Sequence, residues 1–224
     1  VTGQLASGKT HWIRQQIAKN TLDKLYFSPK TESIPIDAIN LQSEFPDLSI
    51  LSVGEEGQLT HLAAEKTVYM EIPWYLENES VATFLNTLNR HQIRVISIEH
   101  QTEGWTVREH ETFFAQTLAS SRQTEWLKSQ DIQIHRAILT GEVLDFSSLE
   151  TFWLELTQGA YGEVIRVKGL FDIIDGQCIY GEFIELFQEK DFKPLNLPLS
   201  LEGRPNHFSG IEIVGRNLDK SAIG

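Results

Sequence analysis

The residues with the clearest chemical meaning lie at the start of the chain, in the segment GQLASGKT at residues 3–10. This segment fits G-x-x-x-x-G-K-[ST] at every fixed position, a pattern typical of a loop that binds phosphate groups. Gly3 and Gly8 allow the backbone to turn tightly and to approach a polyphosphate without an intervening Cβ atom. We expect Lys9 to contact the β- and γ-phosphates and the Thr10 hydroxyl to ligate Mg²⁺. The predicted phosphate and Mg²⁺ site comprises Gly3, Ser7, Gly8, Lys9 and Thr10.

A helix is predicted directly after this loop. Trp12, Ile13 and Ile17 place apolar groups on one side of a helix that begins at Lys9. The free N–H groups and the dipole at the start of such a helix attract anions, as the motif requires. We therefore prefer a phosphate site to the alternative, a plain helix start with an exposed lysine.

Strands and helices alternate along the first 131 residues. Short apolar runs predict strands at 25–27, 48–53, 67–72 and 93–98, and amphipathic spacing predicts helices at 58–65, 81–88 and 109–128. Residues 30–47, which are polar and contain Pro35 and Pro46, predict a loop with one helical turn. This alternation is typical of an α/β fold of the P-loop type, a mainly parallel sheet with helices on both faces. We predict a nucleotide-binding domain over residues 1–131.

The pattern changes at residue 132, and residues 132–224 predict a small α+β domain. Strands are expected at 132–139 and 210–214, a helix over 146–156, and a hairpin formed by 164–174 and 178–187. The Asp175-Gly176 dipeptide between the hairpin strands predicts a type I′ turn, in which both central residues have positive φ.

The amino-acid composition limits the classes of molecule that the protein can bind. The net charge is −12, which disfavours nucleic acids and anionic membranes, because both need a basic surface. No run approaches the roughly 18 apolar residues of a membrane span. The single cysteine, Cys178, excludes an internal disulfide and a multi-thiolate metal site, and favours a reducing, cytoplasmic location. We interpret Cys178 as a plain strand residue. Only two residues precede the loop, so we expect further residues upstream.

Two carboxylates are candidate catalytic residues. Glu71 lies at the end of the predicted strand 67–72, on the side of an open α/β sheet where ligands bind. We predict that it orients Mg²⁺ or the attacking water, with a solvent-facing strand end as the alternative. Asp37 lies in a segment that could change conformation with the nucleotide, with an ordinary helix cap as the alternative.

Two further groups of residues have weaker interpretations. The segments Glu99-His100 and 109–111 offer nitrogen and oxygen metal ligands, but we interpret their proximity in sequence as chance, since seven histidines are dispersed along the chain. Arg166 and Lys168 alternate onto one strand face. That face is either solvated or docks a domain, a partner or a phosphate.

The two ends of the chain together resemble the CobW-like family of P-loop GTPases. Residues 1–10 look like its phosphate loop, VIRVKG at 164–169 resembles its "lRaKG" strand, and IVGRNLD at 213–219 resembles its "fIGrnLd" ending. The resemblance implies a GTP-binding and GTP-hydrolysing protein that uses Mg²⁺, has a CobW-type C-terminal domain and acts as a metal chaperone. Its cargo would be zinc or cobalt, delivered to a metal-receiving protein partner. Asp37 and Glu71 match the contexts of the family's switch Asp and strand-end Glu.

The chain departs from the family pattern at two motifs. The Cys-x-Cys-Cys metal motif would fall near residues 52–57, which contain no thiol. The Asn-Lys-x-Asp guanine reader would fall near residues 126–131, where only Lys128 and Asp131 match. Zinc binding would therefore need other ligands. Three functions stay open: a GTPase linked to metal delivery, a degenerate nucleotide-binding adaptor without hydrolysis, and a small-molecule P-loop kinase.

Overall fold

The computed structural model describes residues 1–29, 34–52, 54–76, 94–101, 104–110, 131–186, 189–197 and 207–223. The chain forms two compact units. The first consists of Val1–Glu32 and Phe45–Trp126, and the second of Ser33–Glu44 and Leu127–Gly224. The segment 33–44 therefore belongs to the second unit, although the sequence predicts it as part of the nucleotide-binding domain.

The described elements follow one another in chain order. The strands are β1 (Thr2–Gly3), β2 (Lys24–Phe27), β3 (Ser49–Ile50), β4 (Thr67–Met70), β5 (Val95–Gln101), β6 (Gly104–His110), β7 (Gln133–Ile138), β8 (Val143–Leu144), β9 (Glu163–Ile173), β10 (Cys178–Ile184), β11 (Glu189–Pro194) and β12 (Gly210–Arg216). The helices are α1 (Lys9–Lys19), α2 (Ile36–Glu44), α3 (Leu59–Glu65), α4 (Phe146–Thr157) and α5 (Lys220–Ile223). No helix in the described part of the chain is long and apolar enough to cross a membrane.

The first unit contains mostly parallel strand pairs. β2 pairs in parallel with β3 and β4, and β1 pairs in parallel with β5. Val1 links the two groups of strands, because its carbonyl accepts a hydrogen bond from the Ile72 N–H (2.8 Å) and its nitrogen donates to the Met70 carbonyl (2.6 Å). The end of β4 thus lies beside the start of β1. The mixed α/β class with parallel strands agrees with the prediction.

Two expectations for the first half of the chain need correction. Residues 109 and 110 belong to β6, which pairs in antiparallel fashion with β5, so the helix predicted over 109–128 does not begin there. Residues 111–128 and the helix predicted at 81–88 lie outside the described residues. The segment 34–47 contains a helix of nine residues, α2, rather than one turn. Pro35 precedes that helix, and its carbonyl accepts a hydrogen bond from the Ile39 N–H (3.0 Å). Proline does not destabilise a helix at its start, because the N–H that it lacks has no partner within the helix there.

The second unit is built on an antiparallel sheet with the strand order β11-β10-β9-β12-β7, and β8 pairs in parallel with β9. Because side chains alternate along a strand, β9 presents two sets of residues. One face packs against α4, whose Trp153 is 2 % exposed and contacts Phe171 edge-on. On the other face, Leu170 and Tyr180 pack in one cluster with Ile36 of α2.

The hairpin between β9 and β10 has the predicted position but a different turn. Gly176 has a φ of 87°, while Asp175 is not among the described residues with positive φ, so the turn is not type I′. The Gly176 N–H donates to the Ile173 carbonyl (2.8 Å), and the Asp175 carboxylate accepts from the Gln177 N–H (3.0 Å). A side-chain acceptor at Asp175 favours a turn in which glycine alone is left-handed.

Candidate nucleotide site

The segment between β1 and α1 has the backbone that its glycines predict. A Cβ atom at Gly3 would lie closer than 3.0 Å to the Ile98 carbonyl of β5 and to the Ser7 hydroxyl, so no larger residue fits. Gly8 caps α1 with a φ of 79°, and Ala6 has a φ of 56°. Two left-handed residues within three positions bend the loop sharply, as phosphate-binding loops do.

Lys9, the first residue of α1, lies over this loop. Its side chain is buried, and its Nζ atom donates to the carbonyls of Gln4 (2.8 Å) and Gly3 (3.3 Å). An ammonium group among backbone carbonyls at a helix start creates a local positive potential. The site is therefore chemically suited to an anion.

Thr10 and Glu71 meet at the carboxyl end of β4. The Thr10 hydroxyl donates to Glu71 Oε1 at 3.1 Å, and the Tyr26 hydroxyl donates to Glu71 Oε2 at 3.1 Å. The Ser28 hydroxyl donates to the backbone carbonyl of Glu71 at 3.0 Å. Glu71 is only 8 % exposed. A P-loop hydroxyl with a strand-end carboxylate supplies the hard oxygen ligands that Mg²⁺ prefers, so these two residues fit that ion.

The structure thus brings six of the seven predicted site residues together in the first unit: Gly3, Ser7, Gly8, Lys9, Thr10 and Glu71. Tyr26 on β2 and Ser28, the residue after β2, orient Glu71 and were not predicted from the sequence. The pairing of β2 with β4 brings Tyr26 and Ser28 close to Glu71. No short-range pattern in the sequence predicts that pairing.

Asp37 lies in the second unit, in the first turn of α2. Its Oδ1 atom accepts a hydrogen bond from Lys168 Nζ at 2.6 Å, and Lys168 also lies 3.6 Å from Glu182 Oε1. Lys168 is buried, so the ion pair with Asp37 compensates its charge. Arg166 pairs with Glu212 at 2.5 Å. The strand face with these two cations is thus ion-paired and not a solvated surface.

A second group of chemically active side chains lies in the second unit. Asp172, Cys178 and His207 each place one ligand atom within 4.8 Å of the others. Burial, followed by the nearby negative charge of Asp172, raises the pKa of the Cys178 thiol to about 12. The local sequence pattern predicts only a plain strand residue at Cys178. The hairpin register places it opposite Asp172 and would have revealed that pair, but no local pattern predicts His207.

The remaining predicted candidates do not form a described site. Glu109 makes a two-pronged ion pair with Arg94, with contacts of 2.5 and 2.6 Å. The structure does not describe the side chains of Glu99, His100 and His110. Glu111 and Lys128 also lie outside the described residues.

Comparisons with known proteins give distant similarities. No protein-family model and no curated protein matches the chain. A solved structure of a Zn(II)-bound triple mutant of the YjiA GTPase aligns with 99 % of this chain and 57 % of its own, at 14 % identity and a TM-score of 0.36. The Zn(II)-bound YjiA GTPase from E. coli aligns with 94 % of this chain and 64 % of its own, at 15 % identity and a TM-score of 0.35. The chain spans about three fifths of the length of these structures. Values this low decide neither the fold nor the activity.

Proposed function

We propose that this chain binds a nucleoside triphosphate together with Mg²⁺ at residues 3–10. The observation that carries the proposal is the 3.1 Å hydrogen bond between the Thr10 hydroxyl and the Glu71 carboxylate. Thr10 lies in the first turn of α1, directly after the glycine-bounded loop. Glu71 directly follows β4, a parallel strand of the first unit. That combination of elements is the one that holds Mg²⁺ and phosphate in P-loop proteins.

The loop and Lys9 support the phosphate part of the proposal. Lys9 donates to neutral carbonyls, and hydrogen bonds from a cation to a phosphate oxygen are stronger than those. The Ser7 hydroxyl is buried and has no hydrogen-bond partner among the described residues. A buried unsatisfied hydroxyl is destabilising, and a phosphate oxygen would be a suitable acceptor for it.

Thr10 and Glu71 support the Mg²⁺ part. Both oxygens of the Glu71 carboxylate accept hydrogen bonds from hydroxyl groups, one from Thr10 and one from Tyr26. These contacts fix the orientation of the carboxylate toward the start of α1. The arrangement favours Glu71 as a residue that positions Mg²⁺ over Glu71 as a base for water. When bound, Mg²⁺ would neutralise part of the phosphate charge.

The resemblance of both chain ends to CobW-like proteins supports a more specific proposal, a GTPase linked to delivery of zinc or cobalt to a protein partner. A nucleotide-binding adaptor without hydrolysis is the second candidate. It is favoured by the position of Asp37, the other predicted catalytic residue, which is paired with Lys168 in the second unit. The catalytic role of Asp37 and the small-molecule kinase stay predictions from the sequence.

Isothermal titration calorimetry of the full chain with GTP and with ATP, both in excess Mg²⁺, tests the proposal. We expect Lys9→Ala to weaken binding at least about tenfold, because a charged hydrogen bond contributes about 1.5–3 kcal/mol. Lys19→Ala is the matched control, since Lys19 is exposed in the last turn of the same helix. It should bind as the wild type does. If neither GTP nor ATP bound to the wild type, the proposal would be refuted.

Phosphate release from the same samples separates the two candidate functions. Phosphate release by the wild type above that of the Lys9→Ala variant would identify a hydrolase. Saturable Mg²⁺-nucleotide binding with release equal to that of Lys9→Ala would identify the adaptor.

A further inference from the structure

The three side chains of Asp172, Cys178 and His207 converge on one face of the sheet in the second unit. Asp172 and Cys178 are directly opposite each other in the register of β9 and β10, which brings their Cβ atoms close together. His207, which precedes β12, places its Nε2 atom 2.7 Å from Asp172 Oδ1. The two strands of one hairpin and a segment about 35 residues further along the chain thus contribute a carboxylate, a thiol and an imidazole to one point.

This group is buried and its hydrogen bonding is incomplete. Asp172 is 3 % exposed and Cys178 is 4 % exposed. The second carboxylate oxygen of Asp172, Oδ2, is buried and has no hydrogen-bond partner within the described ranges. A carboxylate in such surroundings is stable only when its charge is compensated. A cation bound among the three side chains would supply that compensation and use the vacant oxygen lone pairs.

The separations suit a small tetrahedral ion. Zinc binds sulfur at about 2.3 Å and nitrogen or oxygen at about 2.0–2.2 Å, so its ligand atoms lie about 3.3–3.7 Å apart. Here the nitrogen and the oxygen lie 2.7 Å apart and all ligand atoms lie within 4.8 Å. Shifts of about 1 Å in side-chain position would therefore complete the geometry.

The chemical types of the three ligand atoms indicate which metal ions the cluster could bind. Mg²⁺ and Ca²⁺ prefer oxygen ligands, whereas a set of one sulfur, one nitrogen and one oxygen suits zinc or a similar transition metal. We propose that Asp172, Cys178 and His207 form a zinc site, with three protein ligands and a fourth position for water or another ligand. All three ligands lie in the second unit, and none belongs to residues 3–10.

The nearest described lysine on this strand face has carboxylate partners outside the cluster. Lys168, four residues before Asp172 on β9, is within 4.0 Å of both Asp37 and Glu182. Its charge is therefore shared with two other carboxylates. His207 is hydrogen-bonded to Asp172, and an Asp172–His207 ion pair with a buried thiol is the metal-free alternative.

Titration of the chelator-treated full chain with Co²⁺, in the absence of nucleotide, distinguishes these two states. We expect one Co²⁺ per chain, a sulfur-to-cobalt charge-transfer band and the visible bands of tetrahedral cobalt, all removed by one equivalent of Zn²⁺. His207→Gln and Cys178→Ser should weaken Zn²⁺ binding at least about 100-fold, since loss of even an outer partner of a metal ligand costs 10–100-fold.

His61→Gln is the matched control. His61 is an exposed histidine on α3 of the first unit, so its replacement should leave Zn²⁺ affinity unchanged. X-ray absorption of the zinc-loaded wild type keeps the test valid if a variant fails to fold, because the proposal requires one sulfur neighbour. No stoichiometric binding, a zinc environment without sulfur, or equal affinities of the His207→Gln, Cys178→Ser and His61→Gln variants would overturn the proposal. Nucleotide binding without zinc binding would leave the nucleotide proposal standing and remove this one.

Discussion

Replacement of Gly3 by alanine is the sharpest perturbation of the proposed nucleotide site. The added Cβ atom would lie closer than 3.0 Å to the Ile98 carbonyl and to the Ser7 hydroxyl, whereas ordinary contacts of Cβ atoms begin at 3.4 Å. The neighbouring atoms must therefore move by more than 0.4 Å, the difference between those two distances. The Ile98 carbonyl belongs to the strand paired with β1, so the backbone itself must shift.

Such overpacking typically costs about 1–3 kcal/mol. We expect Gly3→Ala to lower the free energy of unfolding by that amount. It should also weaken Mg²⁺-nucleotide binding at least about tenfold, because the proposed phosphate contacts all come from this loop. Urea denaturation followed by circular dichroism measures the first effect, and calorimetric titration measures the second.

Gly57→Ala is the control for this substitution. A Cβ atom at Gly57 meets no atom within 4 Å, and alanine is a better helix former than glycine in the short helical turn that contains it. If Gly3→Ala were as stable as Gly57→Ala and bound nucleotide equally well, the close packing of β1, the loop and β5 would be refuted.

Three other predictions address the second unit. Asp37→Asn removes the ion pair with the buried Lys168 and should lower the free energy of unfolding by about 1–3 kcal/mol without changing nucleotide affinity; a loss of turnover at unchanged stability would instead support a catalytic role. With a pKa of about 12, the Cys178 thiol of the metal-free protein should react with iodoacetamide at pH 8 about 10³-fold more slowly than an ordinary thiol, because the thiolate is the nucleophile. Its rate should rise about tenfold per pH unit, and a rate equal to that of the unfolded chain would contradict the described burial. Asp145→Ala removes the side-chain cap of α4 and should cost about 1 kcal/mol in a denaturation experiment, whereas Glu150→Ala on the exposed side of that helix should change stability by less than about 0.5 kcal/mol.

The backbone conformation of residues 3–10, the proposed phosphate loop, could be predicted from the sequence because its requirements are local. Gly3 and Gly8 are needed for close packing and for a left-handed backbone, and Lys9 and Thr10 follow directly in the first turn of the helix. The strands that carry Tyr26 and Glu71 were also predictable, since β2 and β4 are short apolar runs that end at turn-forming residues.

The rest of the site depends on contacts between residues that are distant in sequence. Tyr26 reaches Glu71 through the pairing of β2 with β4, and this pairing is decided by tertiary packing. The apolar residues of α2 pack in the second unit, so Pro35, which indicated a loop, marks the start of a helix. His207 joins Asp172 because β12 pairs with β9 from Gly210 opposite Leu170, so the segment just before β12 lies beside the end of β9.

The dependence of nucleotide affinity on Mg²⁺ tests the central claim most directly. The affinity of the full chain for GTP and for ATP should be measured with Mg²⁺ and with a chelator, in the wild type, Thr10→Ala and Glu71→Gln, with Thr60→Ala as an exposed control on α3. We predict that Mg²⁺ strengthens binding to the wild type and to the control by about tenfold or more, equivalent to about 1.4 kcal/mol. This gain should be lost in both site variants. Equal affinities with Mg²⁺ and with the chelator in the wild type, or an undiminished Mg²⁺ effect in Thr10→Ala and Glu71→Gln, would contradict the assignment of this site.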